Sequence, residues 1–196
     1  MCNDFGNRVP YSAYVEEFSQ LRIPLRFHPE APNLEPRDEI WPTETAPVIR
    51  SIERSAELAQ FRWGLAPSRP KARVVINMRS EGSTFTRGQC LVPASHYYEF
   101  TGAKSPKTRW RFTRIGAAWF CFAGLLGRAQ TTDGEVDAFT LLTTAAGPDV
   151  APYHDRQPVV LDRAAWSAWL FETTAADLLR PSPAGTLDVA EAPRGT

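Results

Sequence analysis

Cys2 is the residue of this chain whose position most restricts its chemistry. If Met1 is removed, as is usual when the second residue is small, Cys2 carries an α-amine and a thiol on adjacent carbons. The α-amine titrates near about 7.7–8.0, against about 10.4 for lysine, so a useful fraction is neutral at pH 7. Such an amine attacks an aldehyde to give a Schiff base. The thiol, with an ordinary pKa of about 8.5, can then close on the same carbon. The resulting ring holds the nitrogen, two cysteine carbons, the sulfur and the former aldehyde carbon, a favourable five-membered size. An internal cysteine cannot do this, because its nitrogen is tied up in a peptide bond.

Four further segments stand in order behind Cys2: Trp63-Gly64-Leu65-Ala66-Pro67, Ile76-Asn77-Met78-Arg79-Ser80-Glu81, Tyr97-Tyr98-Glu99-Phe100 and His154-Asp155-Arg156-Gln157-Pro158. Together with Met1-Cys2, and in this order and spacing, they resemble the SOS-response-associated peptidase family, the abasic-site-processing proteins. The resemblance runs from Cys2 to about Leu161. It implies a compact α+β fold round a twisted, barrel-like sheet, with Cys2 on the floor of a DNA-binding cleft. It also implies an activity: covalent capture of the ring-opened aldehyde of an abasic site in single-stranded DNA as a thiazolidine, after loss of Met1. That chemistry coincides with the chemistry of the Cys2 amine and thiol.

By the same resemblance Cys2, Asn77, Glu99 and His154 are the catalytic group. An amide at Asn77 suits orienting the sugar or the amine. A carboxylate at Glu99 suits moving the protons of carbinolamine formation and dehydration, and an imidazole at His154 suits protonating the sugar ring oxygen. Arg79 and Arg156 align with arginines that clamp phosphates, and Thr143 with a threonine lining the site. Pro42 and Trp63 complete the expected DNA-binding set. Trp41 and Trp63 are both candidates to stack on a base, although Trp63 is equally suited to the core. Four places depart from the family pattern. Cys-Gly-Arg reads Cys2-Asn3-Asp4, the Asn-x-Ala-Pro segment reads Glu39-Ile40-Trp41-Pro42, and two expected tryptophans are Arg69 and Phe100. Asp4 replaces a positive charge beside the nucleophile with a negative one.

The elements that must carry these residues are mostly short strands. Tyr11, Tyr14, Val15, Phe18 and Leu21 follow helical spacing, which predicts a helix from Tyr11 to Leu21. Arg22 to Pro42 is polar and rich in proline, and reads as one long surface loop. Strands are predicted at Pro47 to Ile52, Leu58 to Leu65, Arg73 to Asn77, Gln89 to Val92, His96 to Phe100, Thr108 to Thr113, Ala118 to Leu126, Ala138 to Thr143 and Pro158 to Leu161. Asp162 is the expected cap of a helix bearing Ala165, Trp166, Trp169 and Leu170. Thr173 or Thr174 is the expected cap of another from Ala175 to Leu179, stopped by Pro181. Leu187 to Ala190 is a candidate last strand in a tail that is expected to pack loosely from about residue 181. Strands that alternate only partly with helices point away from a wound parallel sheet. They point to one α+β domain over residues 1–196, with a twisted, mostly antiparallel, barrel-like sheet and a few flanking helices.

Composition sets the outer bounds. The chain has 196 residues and 21.9 kDa, enough for one domain with a real core. No apolar run approaches the roughly 18–20 residues of a membrane span, and the N-terminus lacks the apolar stretch of a signal peptide, so a cytoplasmic protein is expected, on the nucleoid when it engages DNA. Three cysteines do not suggest a disulfide framework; Cys90 and Cys121 sit in apolar strands and read as buried small hydrophobes. With His28, His96 and His154 they show no metal-ligand spacing, so neither a metal nor a cofactor is expected.

The net charge of zero conceals a cancellation. Residues 1–59 hold six Arg against ten acids, and residues 116–196 hold five Arg against ten acids. Residues 60–115 hold eleven Lys and Arg against only Glu81 and Glu99. A basic middle third is the expected anion-binding face of a monomer that binds single-stranded DNA. Two rivals stay open at this point: a cysteine peptidase in which the Cys2 thiol attacks a peptide carbonyl, and a non-covalent single-strand binder.

Overall fold

The computed structural model describes residues 2–30, 34–69, 72–172 and 175–192. Its strands are β1 (Phe5–Asn7), β2 (Leu25–His28), β3 (Arg37–Ile40), β4 (Thr45–Ile52), β5 (Ser55–Trp63), β6 (Asn77–Arg79), β7 (Gln89–Ala94), β8 (His96–Thr101), β9 (Thr108–Arg114), β10 (Phe120–Thr131), β11 (Gly134–Ala145), β12 (Arg156–Pro158), β13 (Val160–Leu161) and β14 (Leu187–Glu191). Two α-helices, α1 (Tyr11–Gln20) and α2 (Trp166–Phe171), and two 3₁₀ turns complete it.

The strands form two sheets. One is antiparallel throughout, in the order β14-β9-β8-β1-β3. In the other, β11, β10, β7, β4 and β5 pair in turn, and a parallel pairing of β5 with β11 closes the ring. Strand β6 continues along the edge of β11 where β5 leaves it, matching Asn77 with Leu141 and Arg79 with Thr143. A mostly antiparallel, barrel-like α+β domain is therefore what the chain forms.

Alternation along the ring strands builds two cores, because successive side chains point to opposite faces. Cys90 and Val92 of β7 and Phe120 and Phe122 of β10 face the second sheet and meet Phe5, Tyr97, Phe112 and Leu187. Leu91, Cys121 and Ala123 face the other way, under Tyr14 and Phe18 of α1 and Trp166, Trp169 and Leu170 of α2. Cys90 and Cys121 are fully buried, one in each core.

Several sequence expectations shift. The segment from Arg22 to Pro42 is not one loop: β2 runs parallel to β5, and β3 pairs with β1. Both are four-residue strands with exposed polar positions and flanking prolines, too short to show a period of two. The strand expected at Arg73 to Asn77 starts later, since Val75 makes only an isolated bridge to Leu65 and regular pairing begins at Asn77. Pro158 to Leu161 divides into β12, on β11, and β13, on β10. Asp162 forms no capping hydrogen bond and instead pairs with Arg114. The last expected helix is a 3₁₀ turn, Ala175–Leu178; its expected caps Thr173 and Thr174 lie outside the described residues. In the tail, Leu187 is buried, and Asp149 accepts the backbone N–H groups of Gly185, Thr186 and Leu187, each at 2.9 Å.

Strand β1 carries the residues after Cys2, and its seat is tight. A Cβ on Gly6 would fall 2.3 Å from the His96 ring and 2.8 Å from the Asp38 carbonyl oxygen. His96 is itself anchored there, its Nε2 lying 2.9 Å from that same oxygen. Gly6→Ala is therefore expected to destabilise the fold by about 1–3 kcal/mol through overpacking, read as a lower urea midpoint, and His96→Ala in the same chain should recover part of the loss.

Candidate active site

The antiparallel register of β1 on β8 sets Phe5 opposite Tyr97, so the chain before Phe5 runs on towards Glu99. The Tyr98 N–H donates to the Asp4 carbonyl at 3.0 Å and continues that pairing. Cys2 is thereby drawn into the core at 0% exposure. From the other side Asn77, at the start of β6, donates its Nδ2 to the Cys2 carbonyl oxygen at 2.7 Å. The Cys2 thiol lies 3.5 Å from the Asp4 carbonyl. The remaining oxygen of Asn77, Oδ1, is buried and has no hydrogen-bond partner among the described residues.

Burial governs the electrostatics. It pushes the Cys2 thiol well above its ordinary range, and the Glu99 carboxylate adds to the effect. Glu99 is 2% exposed, and burial lifts its carboxyl to about 7, with a smaller push from the Asp155 carboxylate. Alternation on β8 puts Tyr97 on the same face as Glu99. Its phenol is fully buried, and its pKa is raised first by burial and then by Cys2 and Glu99. Sequence reading passed over Tyr97 as a site residue, although its position two before Glu99 on a strand was the available signal. Among the described residues its hydroxyl has no hydrogen-bond partner.

His154 ends the turn that follows β11. Burial lowers its pKa, which favours the neutral ring at neutral pH. Its Nδ1 lies 2.9 Å from the Arg156 N–H and 2.7 Å from an Asp155 carboxylate oxygen. These two contacts belong to different protonation states. The neutral ring accepts from Arg156 and carries its proton on Nε2, whereas the protonated ring donates to Asp155.

The expected DNA-contacting residues divide. Arg79 is exposed at the end of β6. Arg156 forks onto both Glu81 oxygens at 2.9 Å and reaches the Thr143 carbonyl at 2.8 Å, which holds the Glu81 carboxyl down at about 2. The Thr143 hydroxyl is buried between the Met78 carbonyl and Arg156, so Thr143 ties β6 to β12. Pro42 is half-buried beside Trp41. Trp63 needs correction as a base-stacking residue. It is 0% exposed, it packs edge-on against Phe5 at 5.0 Å and parallel to Phe139, and its Nε1 donates to the Ile76 carbonyl. No face of it is open to a base.

Asp4 brings no bare charge to Cys2. Arg109 of β9, 5% exposed in its side chain, pairs with Asp4 at 2.6 Å and with Glu39 at 2.6 Å, and its guanidinium lies 3.4 Å from the centre of the Tyr98 ring. This cluster is a second feature that sequence reading missed, because its members come from four separate strands or their flanks. Among the described residues no group of His, Cys, Asp or Glu is arranged to hold a metal, and no helix is long and apolar enough to cross a membrane.

The sequence profile of the SOS response associated peptidase (SRAP) family matches residues 1–194. The chain belongs to that family. It is 29% identical over 184 residues to the abasic site processing protein YoaM of Bacillus subtilis (strain 168), covering 87% of this chain and 79% of the relative. It is 28% identical over 185 residues to the abasic site processing protein YoqW of the same organism, covering 87% and 80%. Among solved structures, a protein from Bordetella bronchiseptica superposes with a TM-score of 0.76 at 26% identity, over 98% of this chain and 100% of the other. SRAP membership and this superposition agree with the two-sheet fold described above.

The Glu99 carboxyl gives a test of the site's electrostatics. It titrates near about 7 when folded and near about 4.3 when unfolded. Between those values the folded state holds the proton and the unfolded state does not, so stability falls as pH rises from about 4 to 7 and is flat above. Glu99→Gln should therefore exceed the parent in stability at pH 8, by on the order of 3 kcal/mol, with the difference vanishing near pH 4 in urea unfolding.

Proposed function

We propose that this SRAP chain, once Met1 has been hydrolysed away, captures the aldehyde of abasic sites in single-stranded DNA as a thiazolidine on Cys2. The observation that carries the reading is the seating of Cys2. Asn77 holds its carbonyl at 2.7 Å, and it lies beside a buried carboxyl that titrates near about 7. The names of the two Bacillus relatives, abasic site processing proteins, point the same way.

In this reading the freed α-amine attacks the aldehyde carbon. A C–N bond forms, and the carbonyl oxygen takes a proton from Glu99, giving a carbinolamine. The nitrogen returns one proton to Glu99, the hydroxyl takes that proton and leaves as water, and the second N–H proton passes back to Glu99 as the neutral Schiff base forms. The thiol then adds to the same carbon, its sulfur forming the C–S bond while its proton passes by way of Glu99 to the nitrogen. One water is released overall. A carboxyl near 7 is half protonated at neutral pH and can both give and take protons. The Oδ1 of Asn77 is available to accept from the amine, and a neutral His154 with its proton on Nε2 is suited to hydrogen-bond the sugar ring oxygen as the ring opens. The exposed Arg69, Arg73, Arg79 and Arg87 lie along the connection on either side of Asn77 and supply attraction for phosphates. Arg156 acts mainly by fixing the β6–β11–β12 junction.

A peptidase needs a thiolate, and here burial and Glu99 drive the thiol the opposite way. An amine-first reaction does not meet that obstacle, because the thiol is needed only at ring closure.

The test incubates protein lacking Met1 with an abasic oligonucleotide and resolves the products on a denaturing gel and by intact mass. The expected result is an adduct of protein plus oligonucleotide minus one water, absent in Cys2→Ala and formed about 100-fold or more slowly in Glu99→Gln. Capture should slow as salt rises. Absence of any Cys2-dependent adduct overturns the reading, and salt-sensitive binding alone, unchanged by Cys2→Ala, would leave a non-covalent binder.

A further inference from the structure

Beside the nucleophile lies a cavity of about 490 Å³ whose lining includes Asn3, Trp41, Phe100, Lys107, Arg109 and Glu191. Its size falls among pockets that enclose small organic ligands, roughly 300–1,000 Å³. Asn3, which lines it, follows Cys2 directly, so the cavity lies one residue along the chain from the proposed capture group. Trp41 and Phe100 line it, and Asp4 and Glu39 hold its Arg109.

The wall formed by Arg109 is rigid. Two carboxylates pin its guanidinium, the Tyr98 ring backs it, and its Nε is buried with no hydrogen-bond partner among the described residues. Around it stand two partly exposed aromatic surfaces, Trp41 and Phe100, and two exposed side chains of opposite charge, Lys107 and Glu191. A planar heterocycle with apolar faces and a polar edge of adjacent donors and acceptors matches that arrangement. Of the DNA bases, guanine matches it best. Its N1–H and N2–H groups together can donate to one carboxylate, and its O6 can accept from an ammonium. Thymine offers that carboxylate a single N3–H. In a single strand these edges are unpaired and open to being read.

We propose that this cavity is a base-reading subsite that takes the nucleobase adjoining the abasic position, with guanine favoured over thymine. Trp41 is the stacking surface, Glu191 and Lys107 read the edge, and Arg109 is a positioning residue that fixes the wall. The inference rests on the reading of Cys2 as the capture group, since that reading is what brings an abasic strand to this place.

Two measurements keep the two ideas apart. In the first, Cys2→Ala protein, which cannot capture covalently, is titrated with a fluorescent heptanucleotide bearing a stable tetrahydrofuran abasic analogue at its centre. The base on each side in turn is guanine, adenine, cytosine, thymine or a second tetrahydrofuran. On one side, guanine is expected to bind about tenfold tighter than the baseless flank and several-fold tighter than thymine. Trp41→Ala should flatten the whole series, and Glu191→Gln should shrink the guanine–thymine gap while leaving thymine little changed. Equal affinities for all flanks on both sides, or a guanine preference that survives both substitutions, overturn the subsite. In the second, protein with Cys2 intact and Met1 removed is given natural abasic strands; failure to form an adduct there refutes the capture reading, whereas the subsite is decided by the first measurement alone.

Discussion

Holding the second residue of the chain still is the constraint on which the rest of the structure depends. Chain termini ordinarily fray, and a three-residue strand such as β1 has too few ladder bonds to prevent it. Side chains supply the difference. Asn7 reaches the Tyr14 hydroxyl and the Pro93 carbonyl with its amide nitrogen, and receives the Val9 N–H on its oxygen. Gly6 leaves room for the anchored His96 ring. Asp4 is locked to Arg109, and Asn77 takes the Cys2 carbonyl. Each tie comes from a different element, so the position of Cys2 depends on α1, β3, β6, β7, β8 and β9 being in place together.

Burial follows from that anchoring and sets the protonation tendencies of Cys2 and Glu99. Removing the thiol from water disfavours the thiolate, and removing Glu99 from water disfavours the carboxylate. The same desolvation that silences a thiol nucleophile thus brings a carboxyl to neutrality, where it transfers protons in both directions. A site with a protonated thiol and a half-protonated acid is poorly built for attack on a peptide bond by sulfur. It suits a reaction in which nitrogen adds first and water must leave before sulfur closes the ring.

The sequence made much of this legible, for reasons that differ by residue. Cys2 could be singled out because its chemistry depends on distance along the chain from the N-terminus, not on packing. Helix α1 carried clear periodicity, and strands β7 to β11 overlapped short strand-like runs of the sequence. Trp63 stayed ambiguous because a strand-end tryptophan looks alike in sequence whether it faces solvent or, as here, Phe5 and Phe139. Strands β2 and β3 were hidden in a proline-rich stretch, since each gains its pairing from a distant partner and has little pattern of its own. Arg109 could not be connected with Asp4 and Glu39 before the fold was known, because a long-range ion pair leaves no spacing rule behind it.

The charge pattern changes meaning once the fold is in place. The basic middle third of the sequence does not act as one cationic face, because some of its charge is spent on the acidic flanks. Arg109 pairs with Asp4 and Glu39 from the first third, and Arg114 pairs with Asp162 from the last. Conversely, Glu81, one of the two acids of that third, is taken by Arg156 from outside it. What remains exposed is Arg69, Arg73, Arg79 and Arg87 on the connection that holds Asn77, together with Lys104, Lys107 and Arg111 of the β8–β9 hairpin. Buried pairs contribute little net field at the surface, whereas exposed guanidinium groups act over about a Debye length, roughly 8 Å at physiological salt. Four of these exposed guanidinium groups stand on the connection that carries the residue gripping Cys2, which is how a chain of zero net charge can still draw a polyanion there.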